Sequence, residues 1–122
     1  KADAINDEYR RIGYTNQVQF LNNRLVGILQ TILKDSKNPP IIVLMGDHGL
    51  KNANRGLILN AIYLPGGKTD ALYSSISPVN SFRVIFNEYF GTNYDYLPDM
   101  TGNGDTGEYA IQSDPLAECP QP

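Results

Sequence analysis

The residues of this chain best suited to chemistry are one dipeptide, Asp47-His48, and they follow a short apolar run. The run is Ile41-Ile42-Val43-Leu44-Met45-Gly46, and His48 is the single histidine among 122 residues. A carboxylate oxygen and an imidazole nitrogen on adjacent residues suit Zn²⁺ or Mn²⁺. The same residues also fit a polar turn in which Gly49 supplies an unusual backbone angle.

The apolar run predicts where these two side chains lie. An uninterrupted Ile/Val/Leu stretch is typical of a strand that helices cover on both faces of its sheet. Ligand-binding groups of such sheets gather beyond the carboxyl ends of the strands, which is where Asp47 and His48 stand. The sequence therefore predicts an α/β fold with helices packed on a small mixed or parallel sheet.

Apolar residues at three- and four-residue steps predict a long helix before this strand. They are Tyr14, Val18, Leu21, Leu25, Ile28, Leu29, Ile32 and Leu33. The helix is expected to begin near Asp7, or later with Thr15 as its cap. The stretch Asp35-Ser36-Lys37-Asn38-Pro39-Pro40 ends it, because two prolines cannot continue the backbone ladder.

The remaining elements follow from local signals. Residues 56–64 form a second apolar run, closed by Pro65-Gly66-Gly67, and predict a second strand. Ser77-Pro78 predicts the start of a second helix, with serine as N-cap, and Gly91 predicts its end. A loop is expected from Thr92 to Gly107, followed by a short strand from Glu108 to Gln112.

Composition narrows the classes of function. The chain has thirteen Asp and Glu residues and ten Lys and Arg residues, and its basic residues form no stripe. Nucleic acid is therefore not an expected partner. No apolar run reaches membrane-spanning length, and no signal peptide opens the chain. Cys119 is the single cysteine, so an internal disulfide is impossible. Because the chain opens on Lys1 without a methionine, we expect a piece or a processed product of a longer protein.

Taken together, these segments resemble the C-terminal part of the alkaline phosphatase and sulfatase superfamily, especially sulfatase-like hydrolases related to lipoteichoic acid synthase. In that family a Tyr…Val…Leu-Asp…Leu-Gly…Ile-Leu…Leu helix leads into an apolar strand ending in Ser-Asp-His-Gly. An Arg-Val-Pro-Leu…Pro-Gly strand and a Ser…Asp…Pro-Thr-Leu…Gly helix follow. The matching runs here are Tyr14 to Leu33, Ile41 to Gly49, Arg55 to Gly66 and Ile76 to Gly91. The resemblance covers roughly residues 9–99, with residues 1–113 as the sulfatase-like region and 114–122 as a Pro-rich tail expected to be disordered.

The resemblance implies a metal-dependent hydrolase or transferase of phosphate or sulfate esters. In the family the Asp-His pair binds the metal, so Asp47 and His48 become expected ligands of Zn²⁺, Mn²⁺ or Ca²⁺. The expected partners are the ester substrate and the N-terminal half of the parent domain. The family also implies an extracytoplasmic location, with a possible membrane anchor in that N-terminal half.

The chain departs from the family at several positions. Nothing in it matches the N-terminal half, which supplies the nucleophile, so no catalytic residue is expected here. Cys119 lacks the nucleophile context, and no second histidine follows the pair. Asn22 and Gly46 replace the usual aspartate and serine of sulfatases, which weakens a strict sulfatase assignment.

Among the basic residues after the pair, Arg55 is a candidate for an anionic substrate oxygen because its planar fork of donors matches such groups. It is equally well explained as a solvated loop charge. Asp95, Asp99, Asp105 and Glu108 do not fit the twelve-residue calcium loop and are expected to be solvated acids. The alternative to the ester-processing function is a small non-catalytic α/β module in which Asp47-His48 forms only a turn.

Overall fold

The computed structural model describes residues 2–49, 56–102 and 109–111. The chain divides into two compact units, Lys1–Pro40 and Ile41–Pro122. The predictions for Arg55, Asp105, Glu108, Cys119 and the tail fall outside the described residues. No described helix is both long and apolar enough to cross a membrane.

The first unit is one long helix, α1, which spans Ala2–Asp35. Its end is where the sequence predicted it, and the amide of Ser36 still donates to the carbonyl of Ile32 over 3.1 Å. Its start is earlier than predicted. Thr15 is not a cap, because it lies inside the helix and its hydroxyl donates to the carbonyl of Arg11 over 2.9 Å.

The predicted apolar face of α1 has no core of its own. Leu25 and Leu29 are half-buried, whereas the six other predicted positions expose 38% to 51% of their surface. A single helix cannot bury a face against itself, so this stripe remains exposed apolar surface on the first unit.

The second unit contains a two-stranded antiparallel sheet of β1 (Ile42–Met45) and β2 (Asn60–Tyr63). Val43 lies opposite Ile62 and Met45 lies opposite Asn60. All four β1 residues are half-buried, so the apolar run forms the predicted strand without being fully enclosed. The α/β class is confirmed. The strand pairing is antiparallel in the described residues, where the sequence predicted a mixed or parallel sheet.

Helix α2, Pro78–Phe90, has the ends that the sequence predicted. Ser77 is its N-cap, Pro78 occupies the first turn, and Gly91 ends it in the left-handed region at φ 68°. The buried face of α2 supplies much of the core, since Val84 and Ile85 are buried together with Leu64 and Ile76. Helix α2 is therefore packed into the core of the second unit.

Two further short strands complete the described elements. β3 (Met100–Gly102) pairs antiparallel with β4 (Tyr109–Ile111). β4 confirms the predicted last strand, but β3 falls within the stretch predicted as loop. Between α2 and β3, residues 91–99 have no regular structure.

Candidate functional site

Asp47 and His48 follow the end of β1, as the sequence predicted. The residue before β2 fixes the backbone of this end, because the amide of Gly46 donates to the carbonyl of Leu59 over 2.9 Å. The side chain of Asp47 is 91% exposed and that of His48 is 48% exposed, so both are accessible from solvent. The strand therefore presents two potential ligands at a defined point of the fold.

The imidazole of His48 is held in one tautomer by its own backbone neighbour. Its Nδ1 lies 2.7 Å from the carbonyl oxygen of Gly49, which can only accept, so Nδ1 carries the hydrogen of the neutral ring. The Nε2 lone pair is then the available one. A backbone carbonyl that orients the distal nitrogen in this way is a common companion of metal-ligating histidines.

The two side chains lie close to each other. His48 Nε2 lies 3.8 Å from Asp47 Oδ2. Two ligands at about 2.1 Å from a tetrahedral metal lie roughly 3.4 Å apart, so spanning the observed gap needs an angle of about 130°, wider than the tetrahedral one. The donor set, one imidazole and one carboxylate, fits Zn²⁺ or Mn²⁺.

Two ligands do not complete a catalytic metal site, which needs at least three protein ligands and one open position. No group of three or more His, Cys, Asp or Glu side chains that could hold a metal occurs within the described residues. The other oxygen of Asp47 is engaged locally, since Oδ1 accepts the amide of His48 over 3.0 Å. This contact holds the carboxylate without a metal.

Crowding does not enforce either departure from the sulfatase pattern, at Gly46 or at Asn22. A Cβ built on Gly46 would lie 3.7 Å from the amide nitrogen of Leu59 and 4.0 Å from the Cβ of Ile58, which is ordinary contact. A serine would therefore fit at position 46. Asn22 lies on α1 and is exposed.

Lys68, a basic residue downstream of the pair, is engaged with α2. Its Nζ lies 3.4 Å from a carboxylate oxygen of Glu88 and 5.3 Å from the centre of the Tyr89 ring. The hydroxyl of Tyr89 in turn donates to the carbonyl of Pro65 over 2.6 Å. These contacts attach the turn after β2 to α2.

Sequence reasoning missed a polar cluster at the start of α2, which we call the Asn80 network: Tyr73, Ser77, Asn80, Leu97 and Asp99. Asn80 is fully buried, and its Nδ2 donates to the carbonyl of Leu97 over 2.6 Å and to Asp99 Oδ1 over 2.9 Å. Its Oδ1 accepts the amide of Leu97 over 3.0 Å. The side-chain amide of Asn80 thus pairs with both the backbone carbonyl and the backbone amide of Leu97.

Asp99 is the charged member of this network, so its prediction as a solvated acid was wrong. Its Oδ1 accepts the amide of Ser77 over 2.7 Å, and its Oδ2 accepts the hydroxyl of Tyr73 over 2.6 Å. Burial raises the pKa of Asp99, but hydrogen bonds from Ser77, Tyr73 and Asn80 outweigh it and hold this pKa below its ordinary value. Burial and the hydrogen bond to Asp99 raise the pKa of Tyr73.

The partners of Asp99 are 19 to 26 residues away in sequence, which is why no local pattern revealed them. The sequence signal that could have indicated an acidic partner was the predicted N-terminus of α2, because unsatisfied amides and the helix dipole favour an anion there. The network contains no metal cluster within the described residues and serves to fix residues 91–99 on α2.

Comparison with known proteins identifies no relative. No family model matches the chain, and neither a curated protein nor a solved structure matches it significantly.

Proposed function

We propose that this chain is the metal-ligand-bearing, C-terminal portion of a metal-dependent hydrolase or transferase of phosphate or sulfate esters. One observation carries the proposal: His48 Nε2 and Asp47 Oδ2 lie 3.8 Å apart, while Nδ1 is occupied by the carbonyl of Gly49. The sequence resemblance to the alkaline phosphatase and sulfatase superfamily supplies the reaction class.

In this proposal Asp47 and His48 supply two ligands and the missing part of the parent domain supplies the rest. A bound divalent ion would polarise the ester oxygens and stabilise the charge of the transition state. Arg55 is proposed to face an anionic substrate oxygen, on sequence grounds alone. The chain itself contributes no nucleophile and is proposed to be inactive in isolation.

The test uses the complete protein that contains this chain. We expect Asp47→Asn and His48→Ala to lose bound metal and ester hydrolysis together, without a change in the metal-free melting temperature. Metal content by elemental analysis and initial rates with aryl phosphate and aryl sulfate esters provide the two readouts. Gly46→Ser is a matched control, since the structure has room for it and it changes neither ligand.

The second candidate is a small non-catalytic α/β module, and the bond from the His48 amide to Asp47 Oδ1 favours it. This bond engages the Asp47 carboxylate locally without a metal. The experiment separates the two functions. Wild-type metal content and rate in both variants would mean that the pair forms a turn and nothing more.

A further inference from the structure

Residues 92–102, which we call the arm, run back along α2 towards its start. The hinge between helix and arm is Gly91, whose φ of 68° lies in the left-handed region. Within the described residues, the hydrogen bonds of residues 92–99 all end on α2, Ser77 or Tyr73. The arm ends in β3, which pairs with β4 in a sheet separate from that of β1 and β2. The described contacts therefore hold the arm on α2 and on the residues just before it.

Two asparagines of α2 hold the backbone of the arm in the same way. Asn87 Oδ1 accepts the amide of Tyr94 over 2.8 Å, and Asn87 Nδ2 donates to the carbonyl of Tyr94 over 3.0 Å. Asn80 pairs with the amide and the carbonyl of Leu97 in the same pattern. Positions 80 and 87 are about two helical turns apart, so they lie on the same side of α2. This side of the helix therefore presents two amide groups that bind the backbone of a segment lying along it.

Side-chain contacts make this side of α2 specific for the sequence of the arm. The ring of Tyr94 packs edge-on against Phe86, with 6.2 Å between the ring centres, and lies 5.7 Å from the guanidinium carbon of Arg83. Asp99 Oδ1 accepts the amide of Ser77 over 2.7 Å. The arm of a second copy of this chain carries the same backbone groups, the same tyrosine and the same aspartate. It therefore fits the same side of α2.

We infer that the arm exchanges between two copies of this chain, so that each arm binds α2 of the other copy. The exchanged dimer has the same contacts between arm and helix as the monomer, and only the hinge changes its conformation. Each copy gives one arm and receives one, so the assembly closes as a dimer with twofold symmetry. The exchange involves neither Asp47 nor His48 and is independent of the proposed function.

The hinge controls the balance between monomer and dimer. Glycine tolerates the left-handed conformation that directs the arm back onto its own helix, whereas a residue with a Cβ is strained there. No atom lies within 4 Å of a Cβ added at Gly91, so an alanine would be strained by its backbone conformation alone. An open hinge adopts an ordinary conformation and relieves this strain in both copies. Gly91→Ala should therefore favour the dimer.

The first experiment measures self-association by sedimentation velocity over a concentration series, with a reducing agent to exclude a disulfide through Cys119. We expect the dimer Kd of Gly91→Ala to be lower than that of wild type by about tenfold or more, because strain is relieved at two hinges. A Kd for Gly91→Ala that equals or exceeds that of wild type, or a variant that stays monomeric at every concentration, would overturn the inference.

Gly67→Ala is the matched control for loss of stability. Gly67 also has a positive φ, 67°, and free space for a Cβ, but it lies in the turn after β2. The variant should lose a similar amount of stability and change the dimer Kd by less than about twofold, since this turn is not part of the hinge. Equal promotion of the dimer by both variants would mean that general destabilisation drives association, and the inference would fail.

The second experiment identifies the contact that joins the two copies. An equimolar mixture of ¹³C-labelled and unlabelled chain is concentrated until the dimer forms, and isotope-filtered NOEs are recorded between the copies. We expect intermolecular NOEs between the ring of Phe86 in one copy and the ring of Tyr94 in the other. Phe82 and Phe90 are exposed on α2, so a dimer joined through them instead would show NOEs between these rings and none between Phe86 and Tyr94. That result would refute the exchange of arms.

Discussion

Buried polar side chains at the start of α2 organise the second unit through their hydrogen bonds. Asn80, Ser77 and Ser81 are buried polar groups, and each has hydrogen-bond partners that remove the cost of burying it. Asp99 adds a charge to this arrangement and brings residues 91–99 against the helix. The carboxylate thus stabilises a connection that has no regular structure of its own.

At this scale we predict that Asp99→Asn lowers the free energy of unfolding by about 1–3 kcal/mol at neutral pH, because it removes charge-assisted hydrogen bonds. Urea unfolding followed by circular dichroism measures the difference. Asp95 is exposed in the same segment, so Asp95→Asn is the matched control and should change the stability by less than about 0.5 kcal/mol. Equal effects of the two variants would contradict the role given to Asp99.

The pH dependence of the same variant has a definite sign. The pKa of Asp99 is lowered on folding, so its contribution is present above the unfolded pKa of about 3.9 and is lost as the pH falls through the folded pKa. The stabilities of wild type and Asp99→Asn should therefore differ at pH 6 and converge only when the pH falls below the lowered pKa of folded Asp99. A difference that persists unchanged at low pH would assign it to packing instead of charge.

At the scale of elements, α2 has the clearest local signals for both of its ends. We predict that Gly91→Ala destabilises the chain by about 1 kcal/mol, because Gly91 adopts φ 68° and has no atom within 4 Å of an added Cβ. The cost is therefore purely conformational. Gly27→Ala is the matched control inside α1, where the added Cβ also meets nothing and should increase helicity. Thermal unfolding and far-ultraviolet circular dichroism measure both effects.

The elements also show what sequence can and cannot predict here. Ser77-Pro78, Gly91 and the apolar run were recognisable because each signal lies within a few residues of the structure it specifies. The start of α1 was missed because Gly13 and Thr15 resemble a boundary, although the helix continues through both. β3 was missed because its pairing with β4 is not encoded locally. The position of Asp47-His48 was predictable because its signal is local. The role of Asp99 was not, because its partners are distant in sequence.

At the scale of the whole molecule, we predict that this chain alone does not turn over ester substrates. It has the candidate ligand pair, but no third ligand occurs among the described residues, and the sequence shows no nucleophile in a family context. The purified chain should give background rates with aryl phosphates and aryl sulfates in Zn²⁺, Mn²⁺ or Ca²⁺. Robust turnover that a substitution within the chain abolishes would refute this expectation.

The small antiparallel sheet has a consequence for how the chain behaves at high concentration. Within the described residues β1 pairs with β2 alone, so its other edge presents unpaired backbone groups from an Ile-Val-Leu-Met strand. Such an edge is a template for strands of other molecules, and a short uncharged apolar segment without proline is typical of amyloid cores. We therefore expect slow growth of cross-β fibrils with residues 41–45 in their spine.

A lysine in this strand distinguishes templated growth from aggregation of an unfolded chain. Leu44→Lys places a charge in the proposed spine and should lengthen the lag before thioflavin T fluorescence rises, even though it weakens the fold. Ile12→Lys changes an exposed apolar residue of α1 and should leave the lag nearly unchanged. A shorter lag for Leu44→Lys would mean that loss of folding, and not the free edge of β1, starts the fibrils.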